Sequence, residues 1–251
     1  MKKLLFLCAS LISLAAYADD ETAVTPYRPS VSSPAQLPVA GQLELELGWL
    51  QSKSSDMKRD SIPYQFKLAF NKEWGILLGG EAHVLMRNTD GSRDRGFGDT
   101  NVVLKRAFVV DDTTALGAEL GVKLPTANAV IGSGKSDVTI NAILSKEIQT
   151  VHMDANVNVT RLGLVESGTA RLQTGLSTSF SMPLDERWGA TAEVSGTHRS
   201  GVPNARQFLL AATFSPTKRM TIDFGVIKGL TQASQDWSFF SGIVLPIAKL
   251  W

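Results

Sequence analysis

Residues 151–162 read VHMDANVNVTRL, and apolar and polar side chains alternate along the stretch. Successive side chains of a β-strand point to opposite faces, so this segment would have one apolar and one polar face. The apolar face would carry Val151, Met153, Ala155, Val157 and Val159. The polar face would carry His152, Asp154, Asn156, Asn158 and Thr160. The same alternation restarts after each turn from residue 41 to residue 251, which is typical of strands that separate lipid from a polar lumen.

The first residues have the three parts of a secretory signal peptide. Lys2 and Lys3 are basic, residues 4–14 are apolar, and residues 16–18, AYA, form a small-x-small cleavage site. We therefore predict a signal peptide over 1–18 that is cleaved after Ala18 during export. The alternative, a buried N-terminal helix, does not account for the order of the three parts.

Composition excludes several classes of protein. The one cysteine, Cys8, lies within the predicted signal peptide, so the mature chain has neither disulfides nor thiolate metal ligands. Without Lys2 and Lys3 the mature chain has 23 basic and 24 acidic residues, a balance that indicates no nucleic-acid surface. After the signal, no apolar run approaches the roughly 18 residues that a membrane helix requires. We predict no cofactor, no metal and no nucleic-acid partner.

Residues 19–40 differ from the rest of the mature chain. They contain Pro26, Pro29, Pro34 and Pro38 among Ser, Thr and Ala, without alternation. Such a composition favours extended, unpaired backbone. We interpret residues 19–40 as a periplasmic N-terminal segment; a plug or linker role is possible but has no support in the sequence.

Alternation predicts twelve strands between residues 41 and 251. They are 41–50, 62–70, 75–87, 98–110, 115–124, 136–146, 151–162, 170–182, 188–199, 207–215, 220–230 and 237–247. An even number of strands is usual for bacterial outer-membrane barrels. We predict an all-β fold, a transmembrane antiparallel up-and-down β-barrel in the outer membrane of a Gram-negative bacterium, monomeric and with both termini periplasmic.

Connection lengths support this fold. Short polar turns are predicted at 71–73, 111–114, 147–150, 184–187 and 216–219. Longer connections, rich in Gly, Ser and Asn, are predicted at 51–61, 88–97, 125–135, 163–169 and 231–236. Short periplasmic turns and longer outer loops alternate in this way in outer-membrane barrels. A soluble β-sandwich with Greek-key connections would reproduce parts of the pattern.

Tryptophans cluster near the predicted strand ends. Trp74 and Trp188 lie beside short turns, and Trp49 and Trp237 beside long connections, as expected for two interfacial girdles. The alternative is that they are core aromatics of a soluble β protein. Trp251 follows an alternating segment and resembles the C-terminal signal by which outer-membrane barrels are recognised. We therefore predict the barrel-assembly machinery as a partner through Trp251, and outer-membrane lipid as the surroundings.

The polar faces provide the candidate functional residues. We predict these side chains to point into the lumen: Glu44, Glu46, Lys67, Glu81, His83, Arg87, Asp99, Asn101, Lys105, Glu119, Lys123, Asp137, Asn141, Asp154, Asn156, Asn158, Arg171, Glu193 and Asp223. Charges of both signs are mixed, which favours a satisfied polar network over a ring of one sign that selects ions. Such a network can fill a small barrel.

Two patterns suggest enzymes, and neither has the required context. Residues 129–136, AVIGSGKS, fit a relaxed phosphate-binding loop, but a strand and not a helix follows them. His198 lies near Ser200 without an evident third group to form a triad. We predict no catalytic residues and no enzyme.

Three motifs carry a family resemblance. They are Gly96-Phe97-Gly98-Asp99 before a strand with Lys105, then Lys123-Leu124-Pro125-Thr126, then Gly132-Ser133-Gly134-Lys135-Ser136-Asp137. This set resembles the outer-membrane barrel family assigned to the meta-pathway of phenol degradation, although Ala127 stands where that family commonly has Gly. The resemblance implies uptake of small, often aromatic or hydrophobic, compounds, and it implies no catalytic residues. We expect Asp99 and Asp137 to cap loops or to pair with Lys105 and Lys123; direct contact with a solute is the alternative.

The functional prediction is passive passage of a small-molecule solute through the barrel. Two alternatives remain from the sequence: a structural or surface-interaction barrel with a filled lumen, and a lipid-modifying enzyme of the outer membrane.

Overall fold

A computed structural model of the chain describes residues 23–251. The predicted signal peptide, 1–18, lies outside the described residues. Among residues 23–251 there is no helix long and apolar enough to cross a membrane.

Thirteen strands occur in the described part of the chain. They are β1 (Gln42–Lys53), β2 (Met57–Ala69), β3 (Trp74–Asn88), β4 (Arg93–Gly96), β5 (Thr100–Asp111), β6 (Thr114–Leu124), β7 (Asp137–Ile148), β8 (Val151–Arg161), β9 (Leu172–Pro183), β10 (Trp188–Arg199), β11 (Val202–Thr217), β12 (Met220–Gly229) and β13 (Trp237–Lys249).

Twelve of these strands form one closed antiparallel cylinder. Each strand pairs with its neighbours in sequence, β1 pairs with β13, and β2 pairs with β3, so the sheet has no free edge. The short β4 is the exception. It lies in the connection between β3 and β5 and pairs only with residues 84–87 of β3. Closure provides a partner for backbone N–H and C=O groups that hydrocarbon could not solvate. The prediction of a twelve-stranded antiparallel barrel is confirmed.

The connections divide the cylinder into two ends, which we call the short-turn end and the long-loop end. The short-turn end has the connections 70–73, 112–113, 149–150, 184–187 and 218–219. At the long-loop end the connections 125–136 and 162–171 are long, whereas 54–56 and 200–201 are tight hairpins. The long connection predicted at 51–61 is therefore wrong: β1 and β2 continue through it, with polar side chains on both faces that hide the alternation.

Two short turns have the same local chemistry. The side chain of Asn71 accepts hydrogen bonds from the backbone N–H groups of Glu73 and Trp74, at 2.8 and 2.9 Å. Asp185 accepts from Arg187 and Trp188, both at 2.8 Å, and these backbone bonds hold the pKa of Asp185 below its ordinary value. An Asn or Asp side chain that binds the backbone two or three residues further on favours a tight turn.

Burial is inverted relative to a soluble protein. Lys67, Lys105 and Asp223 are fully buried in the interior, whereas Ile140 is 64% and Val157 is 55% exposed on the strands. Charged residues are almost never fully buried unless they are paired, so the interior is a paired polar network. The exposed apolar side chains form the outer face of the wall, as a hydrocarbon environment requires.

Pro246 lies at an irregularity of the β1–β13 ladder. Leu43 pairs with Ala248 and Glu44 with Pro246, so one residue of β13 has no opposite partner. Proline lacks the N–H that a regular ladder needs, and a bulge near the strand end accommodates it.

The outward face of β8 provides a test of the fold. Val157→Arg places a charge against hydrocarbon near the middle of β8 and should lower the free energy of unfolding by about 2–4 kcal/mol. Val130→Arg is the matched control, because Val130 is also 55% exposed but lies in the 125–136 connection. Denaturant titration of both variants in lipid vesicles measures the difference, and equal stability would contradict the assigned outward face.

Candidate functional site

The described N-terminal segment runs through the interior of the cylinder. Residues 24–37, which we call the plug, begin where the Val24 N–H donates to the Lys218 carbonyl in the short turn between β11 and β12. The chain then returns to the short-turn end, where Ala40 forms an isolated β-bridge with Ala69. The interpretation of residues 19–40 as a periplasmic tail is thus corrected for their described part, because the plug lies inside the lumen.

The first half of the plug binds β1 and β12. Its backbone N–H groups at Thr25 and Tyr27 donate to Glu44 (3.2 Å) and Glu46 (2.7 Å). Arg28 forms a two-pronged ion pair with Asp223, at 2.9 and 3.0 Å. Such fork geometry between a guanidinium and a carboxylate is a strong, orienting contact.

The Arg28 side chain approaches the wall closely at a glycine. A Cβ atom on Gly48 of β1 would lie 2.7 Å from a guanidinium nitrogen of Arg28. Gly48 therefore leaves the space in which the Arg28 side chain reaches Asp223.

The second half of the plug binds β10, β8 and β7. The N–H groups of Val31 and Ser32 both donate to one Glu193 oxygen, at 2.8 Å each. Ser33 exchanges two 2.9 Å hydrogen bonds with the Asn156 side chain. The Ala35 N–H then donates to Ser145 Oγ at 2.7 Å.

Tyr27 is held between two buried ammonium groups. Lys67 Nζ lies 4.3 Å and Lys105 Nζ lies 4.2 Å from the ring centroid, within the range of a cation–π interaction. The Tyr27 hydroxyl donates to the Gln36 carbonyl at 2.6 Å, so the ring also fixes the path of the plug. Both lysines bind plug carbonyls as well, Lys67 at Thr25 and Lys105 at Pro34.

Carboxylates of the wall neutralise these lysines. Lys67 lies 2.6 Å from Glu46 and 3.1 Å from Glu44, and Lys105 lies 2.9 Å from Glu119. Burial of an ion is costly unless its partners are complete. The plug carbonyls complete them, so plug and wall are one electrostatic unit.

Further predicted residues extend the network along the wall. Asn141 donates to Glu119 at 2.9 Å and to Asn156 at 3.0 Å. Asp154 accepts from Ser145, which itself accepts from the plug. Asn158 stands beside Gly175 of the neighbouring β9, nearer the long-loop end.

The long-loop half of the lumen contains a second charge cluster. Lys123 lies 2.7 Å from Asp137 and 3.6 Å from Asp99. Lys105 is paired with Glu119, so of the two expected lysines only Lys123 serves Asp99 and Asp137. Glu81 accepts from Arg59 at 2.6 Å, and Asn101 pairs with Lys123 across the β5–β6 ladder.

Three predicted lumen residues lie elsewhere. A bulge between Ile62/Pro63 and Glu81/His83 shifts the alternation of β3, so His83 pairs with outward Ile62, and Val84 takes the buried inward position. Arg87 consequently also lies on the outer face. The lumen prediction for His83 and Arg87 is wrong because the sequence does not reveal the extra residue.

Arg171 is the third. It precedes β9, in the 162–171 connection, where its guanidinium donates to the Leu162 carbonyl at 3.1 Å. The predicted strand began at residue 170, two residues too early.

Two cavities flank the plug. The outer cavity lies in the long-loop half of the lumen, has a volume of about 520 Å³ and is bordered by Glu81, Asp99 and Lys123. The inner cavity lies in the short-turn half, has a volume of about 550 Å³ and is bordered by Asp154 and Arg187. Four plug residues line both cavities: Tyr27, Arg28, Ser30 and Ser32. The plug is therefore the partition between the two halves of the lumen.

The residues of the two rejected enzyme patterns have structural contacts. His198 Nδ1 lies 2.7 Å from Asn204 Oδ1, and the Ser200 carbonyl accepts from the Ala170 N–H. Ser133 of the glycine-rich stretch accepts from Lys123 at 2.9 Å. Among residues 23–251 no cluster of three or more His, Cys, Asp or Glu side chains is arranged to hold a metal ion.

Known structures share this architecture. An outer membrane channel from Pseudomonas putida F1 superposes with a TM-score of 0.68 at 13% identity, over 88% of this chain and 99% of that chain. The KdgM porin in complex with disordered oligogalacturonate gives 0.55 at 7% identity, over 81% and 99%. The CymD monoaromatic hydrocarbon channel gives 0.51 at 8% identity, over 83% and 89%.

At these identities the likeness concerns the fold. No protein-family model and no curated protein sequence matches the chain. The resemblance to the phenol-degradation barrels therefore stays a prediction, and the chain has the barrel fold of outer-membrane channels and porins.

The plug could not be located from the sequence. Its contacts with β7, β8, β10 and β12 join residues 110 to 195 positions apart, and most come from backbone N–H groups, which have no sequence signature. The available signal was indirect. The buried carboxylates of Glu44, Glu46, Glu193 and Asp223 outnumber the buried lysines of the wall, Lys67 and Lys105, so the carboxylates needed other hydrogen-bond donors.

The bonds at Glu193 provide a test of plug docking. Glu193→Leu removes the acceptor of the N–H groups of Val31 and Ser32, and a buried N–H group left unpaired costs about 1–3 kcal/mol. Amide hydrogen exchange at Val31 and Ser32 should accelerate by about tenfold or more.

Glu81→Leu is the matched control, since Glu81 binds Arg59 and does not contact the plug through a hydrogen bond. Equal exchange at Val31 and Ser32 in the Glu193→Leu variant and the wild type would refute docking through Glu193.

Proposed function

We propose that this protein is an outer-membrane channel for the passive passage of small molecules, and that the plug closes it. The observation that carries the proposal is the pair of cavities whose linings share four plug residues. Each has a volume in the range of small-molecule sites. Outward displacement of residues 27–32 would join them into a continuous path.

The lining determines what such a path would admit. Lys123 stands beside Asp99 and Asp137, and Arg59 beside Glu81, so the charges around the outer cavity are of both signs and are paired with one another. Selectivity of a pore depends on its width and on the groups that line it. A lining of paired charges favours uncharged solutes, since each charged group already has a partner in the wall.

The solute class follows from the resemblance and not from the lining alone. The motifs between residues 96 and 137 resemble barrels that take up small, often aromatic or hydrophobic, compounds. A solved barrel of similar fold is a monoaromatic hydrocarbon channel. We therefore propose small uncharged compounds, aromatic ones included, as the cargo.

Location and assembly are part of the same proposal. The signal peptide would direct the chain across the inner membrane, and the short-turn end would face the periplasm. Trp251 would present the terminal aromatic to the assembly machinery, and the barrel would work as a monomer.

The density of plug contacts favours one alternative, a non-transporting barrel with a filled lumen. Hydrogen bonds from at least five backbone N–H groups, together with the Arg28–Asp223 ion pair, would hold a permanent plug. The two functions differ in whether the plug moves during solute passage.

An engineered disulfide distinguishes them. Ala35→Cys with Ser145→Cys joins the plug to β7 at a site where Ala35 N and Ser145 Oγ are 2.7 Å apart. The single native cysteine, Cys8, lies in the predicted signal peptide and would not interfere. Oxidised protein in planar bilayers or liposomes should pass little solute, and reduction should restore passage.

The results of this experiment distinguish a channel with a movable plug from a non-transporting barrel. Passage that is equal before and after reduction would show that solute moves without plug displacement. No passage in either state, nor in a chain that lacks residues 24–37, would end the channel proposal. Ala35→Cys alone controls for the substitution.

Solute choice has its own measurement. Uptake into liposomes should be faster for an uncharged aromatic alcohol than for a carboxylate or an ammonium compound of similar size, since the charged groups of the lining are already paired. Faster uptake of either ion would contradict the proposed class. Liposomes without protein correct for direct diffusion of the aromatic compound through lipid.

A further inference from the structure

Basic side chains form one row across neighbouring strands at the long-loop end. In the register of the sheet, Lys228 of β12 pairs with Trp237 of β13, and Trp237 pairs with Lys53 of β1. Lys53 pairs with Lys58 of β2, which pairs with Arg87 of β3. We call these five residues the basic row.

The basic row lies on the outer face of the wall. Ser52 and Ser238, the neighbours of Lys53 and Trp237, are buried and hydrogen bonded to each other at 3.0 Å, so they point inward. Arg59, the neighbour of Lys58, reaches Glu81 beside the outer cavity. Alternation then directs Lys53, Lys58 and Trp237 outward.

The same face is occupied by Lys228, whose Nζ lies 4.6 Å from the centroid of the Trp237 ring. Trp237 itself is 44% exposed, so the cation and the ring form an open surface.

On β12 and β13 the row marks the level at which the apolar outer face ends. Val226 on β12 and Phe239 on β13 pair with each other and lie nearer the middle of the wall, two positions along their strands from the row. On β1 and β2 the same level has Gln51 and Asp60, hydrogen bonded at 2.6 Å. Trp and Lys beside an apolar band are typical of the depth of lipid headgroups.

Charge in the row is only partly compensated within the protein. Arg87 lies 3.2 Å from Asp60, but Lys53, Lys58 and Lys228 form no ion pair among the described residues. Like charges directly opposite each other on neighbouring strands are destabilising, and Lys53–Lys58 and Lys58–Arg87 are two such pairs in succession.

Two outward basic residues at the opposite end have partners within the chain. Outward Arg106 at the short-turn end has Glu73 at 3.4 Å and stacks 5.0 Å from the Trp74 ring, while Lys146 binds the hydroxyl of Thr114. The outer face can thus provide partners for single cations, whereas the row places three lysines and Arg87 together with one carboxylate, Asp60, which favours an anion from outside the chain.

We propose that the basic row binds the phosphate groups of a phosphorylated glycolipid of the outer leaflet, with the chemistry of lipid A. Ammonium groups attract phosphate as point charges, and those of Lys53 and Lys58 stand on adjacent strands. The Trp237 ring would lie against the sugar, and the acyl chains would lie along Val226 and Phe239. The inference rests on the proposed membrane location and orientation, and is independent of solute passage.

Binding of purified barrel in detergent to bis-phosphorylated lipid A, followed by native mass spectrometry, tests the proposal. The wild type should bind this lipid more tightly than the same lipid without phosphates. The double variant Lys53→Gln with Lys58→Gln should lose affinity by roughly thirtyfold, since each lysine near a charged lipid surface contributes about fivefold.

Two control variants sharpen the result. Lys72→Gln with Lys135→Gln removes the same charge from exposed sites outside the row and should bind like the wild type. Lys53→Arg with Lys58→Arg keeps the charge and should retain most of the affinity. Folding of each variant is checked by heat-dependent migration in gel electrophoresis.

Equal binding of the phosphorylated and dephosphorylated lipids by the wild type would overturn the proposal without any variant. Equal losses in the two glutamine variants would overturn it as well, since only net charge would then matter. Neither result depends on flux, so failure here is distinct from failure of the channel proposal.

Discussion

A backbone N–H or C=O group that water does not reach needs a partner from the protein, and this constraint governs both parts of the structure. The wall meets it by closing, since β1 pairs with β13 and β2 with β3. The plug has no strand partners, so its N–H groups meet it through side chains of the wall. Glu44, Glu46 and Glu193 accept those bonds, which explains why acidic residues lie buried in the lumen.

Electrostatics then links wall and plug. Lys67 and Lys105 would be costly to bury alone, but each has a carboxylate, a plug carbonyl and a face of the Tyr27 ring. Tyr27 thus contacts cations from β2 and β5, the two strands that flank β3, and the plug is held against this part of the wall. Movement of the plug would expose both lysines at once, so its displacement would be cooperative.

The outer face follows a different rule. Inside the lumen each lysine has its counter-charge, whereas Lys53, Lys58 and Lys228 stand together on the outside without one. A protein whose two faces meet different media has its charge balanced by different partners. The plug and the wall provide the counter-charges for the lysines in the lumen, and the lipid would provide them for the lysines on the outer face.

Much of the barrel could be predicted from particular residues. The alternation at 151–162 matches β8 (Val151–Arg161), and the Trp residues of the turns at Asn71 and Asp185 mark strand starts at Trp74 and Trp188. The predicted strand boundaries are wrong where the alternation stops, as between residues 51 and 61, because a strand that leaves the membrane is polar on both faces. His83 and Arg87 failed because one extra residue in β3 exchanges the two faces for the rest of the strand.

The sequence by itself determined the class of fold, the strand count and most of the inward residues, because a strand between two media must alternate at every position. Tertiary structure alone decided that residues 24–37 fill the lumen and that Lys53, Lys58 and Lys228 form one row. Both depend on register between strands far apart in the chain, and on backbone groups that are the same in every residue. Local pattern contains neither of these.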